Sequence, residues 1–242
     1  SLTLTQAEVG KVITAKATYT DGQGTVEAVT SNASAAVANL NDTPTGEVTI
    51  TGDATQGQTL TVANTLADAD GLGVVSYQWY AGDTAIEGAT GTSFTLTQAQ
   101  VGKVITAKAT YTDGQGTVEA VTSNSSASVA NVNDAPQGAV TINGQPSVNQ
   151  TLTAQVQFTD ADGLGALSYQ WFADGAALGA AGPTNTLTLT EAELGKAITV
   201  KVTYTDGFGQ AEEVPSGATG PVIPHSPAKG GLSISGTAGG GS

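Results

Sequence analysis

The feature that most constrains this sequence is an internal repeat with a period of 92 residues, because residues 9–32 recur without change at residues 101–124. A more diverged third copy begins at Thr186, and the segment SYQWY at Ser76 returns as SYQWF at Ser168. Self-similarity at a fixed period is the sequence signature of tandem arrays of one structural unit. The chain is therefore predicted to be a segment of a longer tandem array.

The period divides the chain into four predicted parts. They are the second half of one repeat at 1–41, complete repeats at 42–133 and 134–225, and a linker with the first strand of another repeat at 226–242. Each complete repeat is long enough to bury a core of its own. The start at Ser1 in the middle of the pattern, without a methionine, indicates a piece of a longer protein.

Alternating polar and apolar residues predict that each repeat is built from β-strands. Ile105, Ala107, Ala109 and Tyr111 alternate with polar residues, and Asp-Gly and Gly-x-Gly turn signals separate such runs. One short helical turn is predicted at TQAQVGK, with Thr97 as its N-cap. Seven or so short antiparallel strands in about 92 residues predict an all-β fold, a β-sandwich repeated in tandem.

Several of these residues lie where immunoglobulin-like domains place theirs. Trp79 falls on the third predicted strand, where that fold keeps its core tryptophan, and residues 99–107 fall at the turn into the sixth strand. The linker VANVNDAP and the loops DADGLG and YTDGQG resemble the repeated Ig-like and cadherin-like modules of giant, type I-secreted (RTX-type) bacterial surface adhesins. The resemblance covers essentially the whole chain and implies an extracellular location on a bacterial cell surface.

Most carboxylates recur at equivalent places: an Asn-Asp-x-Pro linker, an Asp-x-Asp-Gly loop and a Thr-Asp-Gly-x-Gly loop. In an Ig-like unit these segments lie at one pole, where a cation would relieve the repulsion between carboxylates. Oxygen ligands without His or Cys favour Ca²⁺, which the cadherin-like resemblance also implies. The candidate ligands are Asn41, Asp42, Asp68, Asp70 and Asp113 in the first complete repeat and Asn133, Asp134, Asp160, Asp162 and Asp206 in the second.

The alternative interpretation of these residues is that Asp-Gly and Asn-Asp are ordinary turn formers that hold no metal. The linker GPVIPHSPAKGG after the second repeat lacks the Asn-Asp pair and contains Pro221, Pro224 and Pro227. It is predicted to be poor in calcium and stiffened, if at all, by proline. His225, the single histidine of the chain, is predicted to be exposed in this linker.

Composition excludes several classes of function. With a formal net charge of −14 and no arginine, the chain cannot neutralise a row of phosphates, so nucleic-acid binding is not expected. No apolar run approaches the length of a membrane span, so membrane insertion is not expected either. Without cysteine there is no thiol nucleophile, and with its one histidine in a linker a Ser-His-Asp arrangement is not expected. The chain is therefore not expected to be an enzyme.

These observations together predict a non-catalytic extender of a surface adhesin. Its partners are the neighbouring repeats of the same chain, and Ca²⁺ at the junctions makes the array rigid. One alternative is an accessory module, for instance carbohydrate-binding, of a large secreted enzyme, although the inward phase of Trp79 and Trp171 predicts core packing rather than sugar stacking. Another is a filament subunit that self-associates when incomplete terminal repeats exchange strands.

Overall fold

The computed structural model describes residues 1–225 of the chain. The predicted linker and first strand at 226–242 lie outside the described residues. The chain divides into two compact units, the first spanning Ser1–Val132 and the second beginning at Asn133. The first unit covers the predicted half-repeat and the predicted first complete repeat except for Asn133, and the second unit covers the predicted second complete repeat. The finer four-part division stays a prediction.

The first unit consists of antiparallel strands joined by short turns. Its strands are β1 (Lys16–Thr20), β2 (Val26–Thr30), β3 (Val48–Thr51), β4 (Thr59–Asn64), β5 (Ser76–Ala81), β6 (Thr84–Ala85), β7 (Ser93–Thr95), β8 (Ile105–Thr112) and β9 (Val118–Thr122). Strands β1 and β2 pair with each other, and the rest form a three-stranded sheet, β3-β4-β7, and a four-stranded sheet, β6-β5-β8-β9. Single 3₁₀ turns span Gln6–Glu8 and Gln98–Gln100.

The second unit repeats the same plan. Its strands are β10 (Gln137–Asn143), β11 (Thr151–Thr159), β12 (Ser168–Ala173), β13 (Ala176–Gly182), β14 (Thr186–Thr188), β15 (Ile198–Thr205) and β16 (Ala211–Pro215), with a 3₁₀ turn at Glu191–Glu193. The sheets are β10-β11-β14 and β13-β12-β15-β16. Each complete repeat thus has seven antiparallel strands in two sheets, and the prediction of an all-β sandwich is confirmed.

The core of each repeat is built from the inward residues of these strands. Strand β8 alternates buried and half-buried residues from Ile105 to Tyr111, as its sequence predicts, and ends on the exposed Thr112. Trp79 is on the third strand of its repeat and is fully buried, with its ring centroid 5.9 Å from that of Phe94. Its indole Nε1 donates to the carbonyl oxygen of Gly91 at 2.9 Å. Trp171 is also buried, although its indole Nε1 has no hydrogen-bond partner among the described residues. Both tryptophans are therefore core residues and not sugar platforms.

The predicted helical turn is present as a 3₁₀ turn that leads into the sixth strand. Thr97 is its N-cap, as predicted, and accepts from the backbone N–H of Ala99. The Gln100 side chain returns a hydrogen bond, since its Oε1 accepts from the Thr97 backbone N–H at 3.0 Å. This reciprocal capping box fixes the direction in which the chain enters β8.

The half-repeat at 1–41 presents residues that the complete repeats bury. Tyr19 is 56% exposed, whereas Tyr111 at the same position of the first complete repeat is 3% exposed. All residues of β1 and β2 are exposed. Residues 9–32 and 101–124 are identical in sequence. The difference in burial therefore comes from the strands that pack against residues 101–124 in the complete repeat.

Candidate functional site at the acidic pole

The three predicted segments meet at one end of each complete repeat. In the first, the backbone N–H of Asp42 in the linker donates to Asp70 Oδ2 at 2.8 Å. The backbone N–H of Gly114, in the loop after β8, donates to the carbonyl oxygen of Asp70 at 3.0 Å. We call this region the acidic pole; it consists of Asn41, Asp42, Asp68, Asp70, Asp113 and Glu119 in the first complete repeat and Asn133, Asp134, Asp160, Asp162, Asp206 and Glu212 in the second.

Asp70 is the hub of the acidic pole in the first repeat. It is only 5% exposed, and both oxygens of its carboxylate accept hydrogen bonds. Besides the bond from Asp42, Oδ1 accepts from the Gln6 amide Nε2 at 2.7 Å. Gln6 belongs to the preceding half-repeat, so one buried carboxylate ties a repeat both to its own linker and to the repeat before it.

Asp68 binds the chain around it through both carboxylate oxygens. Its Oδ1 accepts from the backbone N–H of Asp70 at 2.9 Å, which shapes the DADG turn. Its Oδ2 accepts from the hydroxyl of Tyr111 at 2.6 Å. The pKa of Tyr111 lies well above its usual value. Burial of the tyrosine is the main cause, and this hydrogen bond to a carboxylate is the second. The tyrosine therefore remains protonated and acts as a donor.

Asp113 forms the turn after β8 through one of its two carboxylate oxygens. Its Oδ1 accepts from the backbone N–H groups of Gln115 and Thr117, both at 2.8 Å. Burial alone would raise the pKa of Asp113, but these backbone donors outweigh it and hold the pKa below the usual range. Its Oδ2 is buried and accepts no hydrogen bond from the described part of the chain.

Asn41 uses its amide as a donor. Its Nδ2 donates to Glu119 Oε1 at 2.7 Å, which holds the linker against β9. Three residues of this network had no place in the predicted site: Gln6, Tyr111 and Glu119. Their partners lie 64, 43 and 78 residues away along the chain, so no local spacing pattern identifies them.

The second complete repeat reproduces the pole in nearly every contact. The backbone N–H of Asp134 donates to Asp162 Oδ2 at 2.7 Å, and Asn133 Nδ2 donates to Glu212 Oε1 at 2.8 Å. The Tyr204 hydroxyl donates to Asp160 Oδ2, as Tyr111 does to Asp68 in the first repeat. Asp206 Oδ1 likewise accepts two backbone N–H groups, and its Oδ2 is buried without a partner among the described residues.

The acidic pole offers only part of the oxygen shell that calcium requires. Ca²⁺ takes six to eight oxygen ligands. Across residues 1–225, no group of three or more His, Cys, Asp or Glu side chains has an arrangement that could hold a metal ion. Most of the predicted carboxylates form hydrogen bonds with the protein, as turn formers do. Among the described aspartates of the pole, Asp113 Oδ2 and Asp206 Oδ2 are buried without a hydrogen bond and would be satisfied by a cation, and the ligand set stays a prediction.

The linker segment that begins at Gly220 is described as far as His225, which is exposed, as predicted. Val222 is buried, and its carbonyl oxygen accepts from the backbone N–H of Gly195 at 2.8 Å. The start of this linker is therefore part of the second repeat. No helix in the described chain is long and apolar enough to cross a membrane.

No protein-family model and no curated protein sequence matches this chain. Similar solved structures include a Ca²⁺-stabilised, ice-binding adhesin of an Antarctic bacterium, at 13% identity over 88% of this chain and 56% of that chain, with a TM-score of 0.32. The extending-region tandem repeat of a large adhesion protein is 16% identical over 87% of this chain and 57% of that chain, with a TM-score of 0.28. A three-domain segment of titin is also 16% identical, over 90% of this chain and 77% of that chain, with a TM-score of 0.28.

This chain spans just over half the length of the two adhesin structures. The TM-scores of all three comparisons are below 0.5. The β-sandwich assignment therefore depends on the strand order and the buried cores described above.

Proposed function

We propose that this chain is a non-catalytic spacer, a set of extender repeats of an extracellular bacterial surface adhesin, whose junctions Ca²⁺ makes rigid. The observation that carries the proposal is the recurrence of the acidic pole. The linker-to-loop bond from Asp42 to Asp70 and the bond from Asp134 to Asp162 differ by only 0.1 Å in length. This contact fixes the direction of the linker relative to the loops. An array of constant length needs that direction to be the same in each copy.

The repetition itself favours a spacer over an enzyme or an individual binding module. Residues 9–32 and 101–124 are unchanged, so the array gains length by duplication. Catalysis by nucleophilic attack needs a nucleophile beside a base, and the single histidine lies exposed in a linker. Each further repeat adds on the order of 35–45 Å at about 3.3 Å per strand residue.

Calcium binding would add stiffness to this arrangement. Asp68, Asp70 and Asp113 supply the carboxylates in the first complete repeat, and Asp160, Asp162 and Asp206 supply them in the second; the Asn-Asp linkers supply further oxygens. An ion bound there would neutralise the clustered negative charge and satisfy the buried Oδ2 atoms of Asp113 and Asp206. Some carboxylate oxygens would exchange hydrogen bonds for coordination, because most are occupied in the structure.

The calcium proposal is tested by thermal unfolding in millimolar Ca²⁺ and in EDTA. A ligand that binds the folded state alone raises the apparent stability by mass action. We expect Ca²⁺ to raise the unfolding midpoint, and Asp113→Asn together with Asp206→Asn to remove most of that rise. Asparagine keeps the Oδ1 acceptor of the turn, so these variants retain the hydrogen bonds to the following backbone.

The matched control is Asp21→Asn. Asp21 forms the same turn in the half-repeat, where its Oδ1 accepts from the backbone N–H groups of Gln23 and Thr25 at 2.9 Å. Residues 1–41 contain no DADG loop, so this variant of the present chain should leave the calcium response unchanged. A midpoint that Ca²⁺ does not move would contradict the calcium proposal and leave the spacer role standing.

The spacer role has a separate test in the intact surface protein. Deletion of residues 42–133 removes one whole period. It should shorten by one repeat the distance to which the protein extends from the cell, while the intact protein still binds its own ligand. Loss of ligand binding at unchanged surface display would favour the accessory-module alternative. The strand-exchange prediction is decided by size-exclusion chromatography with light scattering, since a monodisperse monomer excludes it.

A further inference from the structure

We propose that Gln6 determines the strength of the contact between its repeat and the following one. Its side-chain amide binds the following repeat through Asp70, and the residue type at this turn position sets how strong that contact is. The partner is thus the acidic pole of a neighbouring repeat. The biological use of this contact rests on the proposed spacer role, but the contact itself does not depend on calcium.

The 3₁₀ turn presents Gln6 in a fixed position. Gln6 is the first residue of the turn, and Thr5 and Glu8 form its capping box. Glu8 Oε2 accepts from the Thr5 backbone N–H at 3.0 Å and from the Thr5 hydroxyl at 2.7 Å. Because the capping box engages Thr5 and Glu8, the Gln6 side chain takes no part in it and can project from the turn. Ala7, the middle residue, is too short to reach outward.

The acceptor is equally fixed. Asp70 is buried, its backbone N–H is held by Asp68 Oδ1, and its carbonyl oxygen is held by Gly114. Its Oδ2 accepts from the linker at Asp42, so only Oδ1 is presented to the preceding repeat. Gln6 Nε2 donates to this oxygen at 2.7 Å. A hydrogen bond to a buried carboxylate is stronger than one between neutral groups, and both partners are held in place before they meet.

The residue type at this position changes along the chain. It is Gln6 in the first copy of the turn and Gln98 in the second, but Glu191 in the third. An ionised carboxylate cannot donate a hydrogen bond, and next to a buried aspartate it would repel. Glu191 is exposed. The same repeat is followed by a linker without the Asn-Asp pair. Two separate sequence changes therefore predict a weaker contact between the second complete repeat and a repeat that follows it.

The experiment measures how well the half-repeat and the first complete repeat align with each other in the full chain. Residual dipolar couplings are recorded for β1 and β2 and, separately, for β3 to β9, in EDTA so that calcium plays no part. We expect the wild-type chain to give one shared alignment. Gln6→Glu should lose that shared alignment at neutral pH, because two carboxylates then face each other.

A double variant separates the contact from any general loss of folding. An asparagine in place of Asp70 can still accept from the Asp42 backbone through Oδ1, while its Nδ2 donates to the carboxylate introduced at position 6. The double variant Gln6→Glu, Asp70→Asn should therefore regain the shared alignment. Gln23→Glu is the matched control, because it places the same charge on the exposed β1–β2 turn and should change nothing.

Three results would overturn the proposal. They are separate alignments in the wild-type chain, a shared alignment that survives Gln6→Glu, and a double variant that fails to restore it. None of these results bears on the calcium response, which is measured by thermal unfolding of other variants. Failure of this proposal and failure of the calcium proposal are thus distinguishable.

Discussion

The contact between Tyr111 and Asp68 joins the end of β8 to the loop after β4. The tyrosine ring is part of the core, and its hydroxyl reaches the pole. Tyr204 and Asp160 form the same pair in the second repeat. A buried hydroxyl without a partner would cost free energy, so this pair ties the packing of the sandwich to the shape of the acidic loop.

Removal of the Tyr111 hydroxyl should destabilise the first unit. Tyr111→Phe keeps the ring in the core and deletes the donor to Asp68, so we expect a loss of about 1.5–3 kcal/mol in the free energy of unfolding. Urea denaturation at neutral pH measures it. Tyr19→Phe, at the same position of the half-repeat, is the control, because its side chain is exposed and should contribute little.

The same pair predicts how this difference depends on pH. Burial and the hydrogen bond to Asp68 raise the pKa of Tyr111 above the unfolded value of about 10. The stabilisation is therefore complete below pH about 10 and is lost as pH rises through the folded pKa. The gap in stability between wild type and Tyr111→Phe should shrink in strong alkali, and a gap that widens there would contradict this account.

At the residue scale, the sequence predicted which acidic side chains gather but not what they bind. Asp70 and Asp113 follow recognisable turn patterns, so their position at one pole could be inferred from an Ig-like fold. The donors could not, because Gln6 and Tyr111 are ordinary members of a turn and a strand in the sequence. Their roles depend on how distant segments approach one another in space.

The capping box has the same geometry in both complete repeats, although the residue that closes it is neutral in one and acidic in the other. Gln100 closes it in the first complete repeat and Glu193 closes it in the second, in each case by accepting from the preceding threonine. Burial alone raises the pKa of Glu193, but the hydroxyl and backbone N–H of Thr190 outweigh it and lower the pKa below its usual value.

Glu193→Gln should therefore make the second unit less sensitive to acid. A depressed carboxyl pKa contributes stability above the unfolded value of about 4.3, and that contribution is lost as pH falls through the folded pKa. Glutamine keeps the acceptor, as Gln100 shows, so at pH 7 we expect a loss of no more than about 1 kcal/mol. Denaturation between pH 7 and pH 3 provides the measurement. An unchanged acid dependence in the variant would refute this role for Glu193.

At the element scale, most strands were predictable because one face of each is buried. The alternation in β8 is visible in the sequence and holds in the structure. The fourth strand of each repeat was not predictable: β6 has 2 residues, whereas β13 has 7. The segments differ in sequence at this edge, where Pro183 and Asn185 follow β13, and edge pairing is decided by the neighbouring strand rather than by local pattern.

The two complete repeats have separate cores, each with one of the chain's two tryptophans. Leu60 and Leu152 occupy the same position in these cores and are both almost fully buried. The stability of a tandem array is in large part a sum over its repeats. Damage to one core should therefore be confined largely to its own repeat.

Leu152→Ala tests this at the scale of the molecule. The substitution leaves a cavity in the second core and should cost about 2–5 kcal/mol there. Fluorine NMR of fluorotryptophan-labelled protein follows Trp79 and Trp171 separately during urea unfolding. We expect the Trp171 transition to move to lower urea and the Trp79 transition to stay. Leu60→Ala should give the reverse, and equal shifts of both signals would show a single cooperative unit.

The acidic pole of the first complete repeat has a consequence for how the gene can change. Asn41, Asp42, Asp68 and Asp70 lie between the identical segments 9–32 and 101–124, so the linker and the loop that receives it are inherited together. Glu119 lies inside the second segment, and Glu27 occupies the same position in the first. A crossover between the coding sequences of residues 9–32 and 101–124 adds or removes one whole period. Each product still pairs every linker with its own loop, so the array can change its reach in a single step without any junction having to be rebuilt.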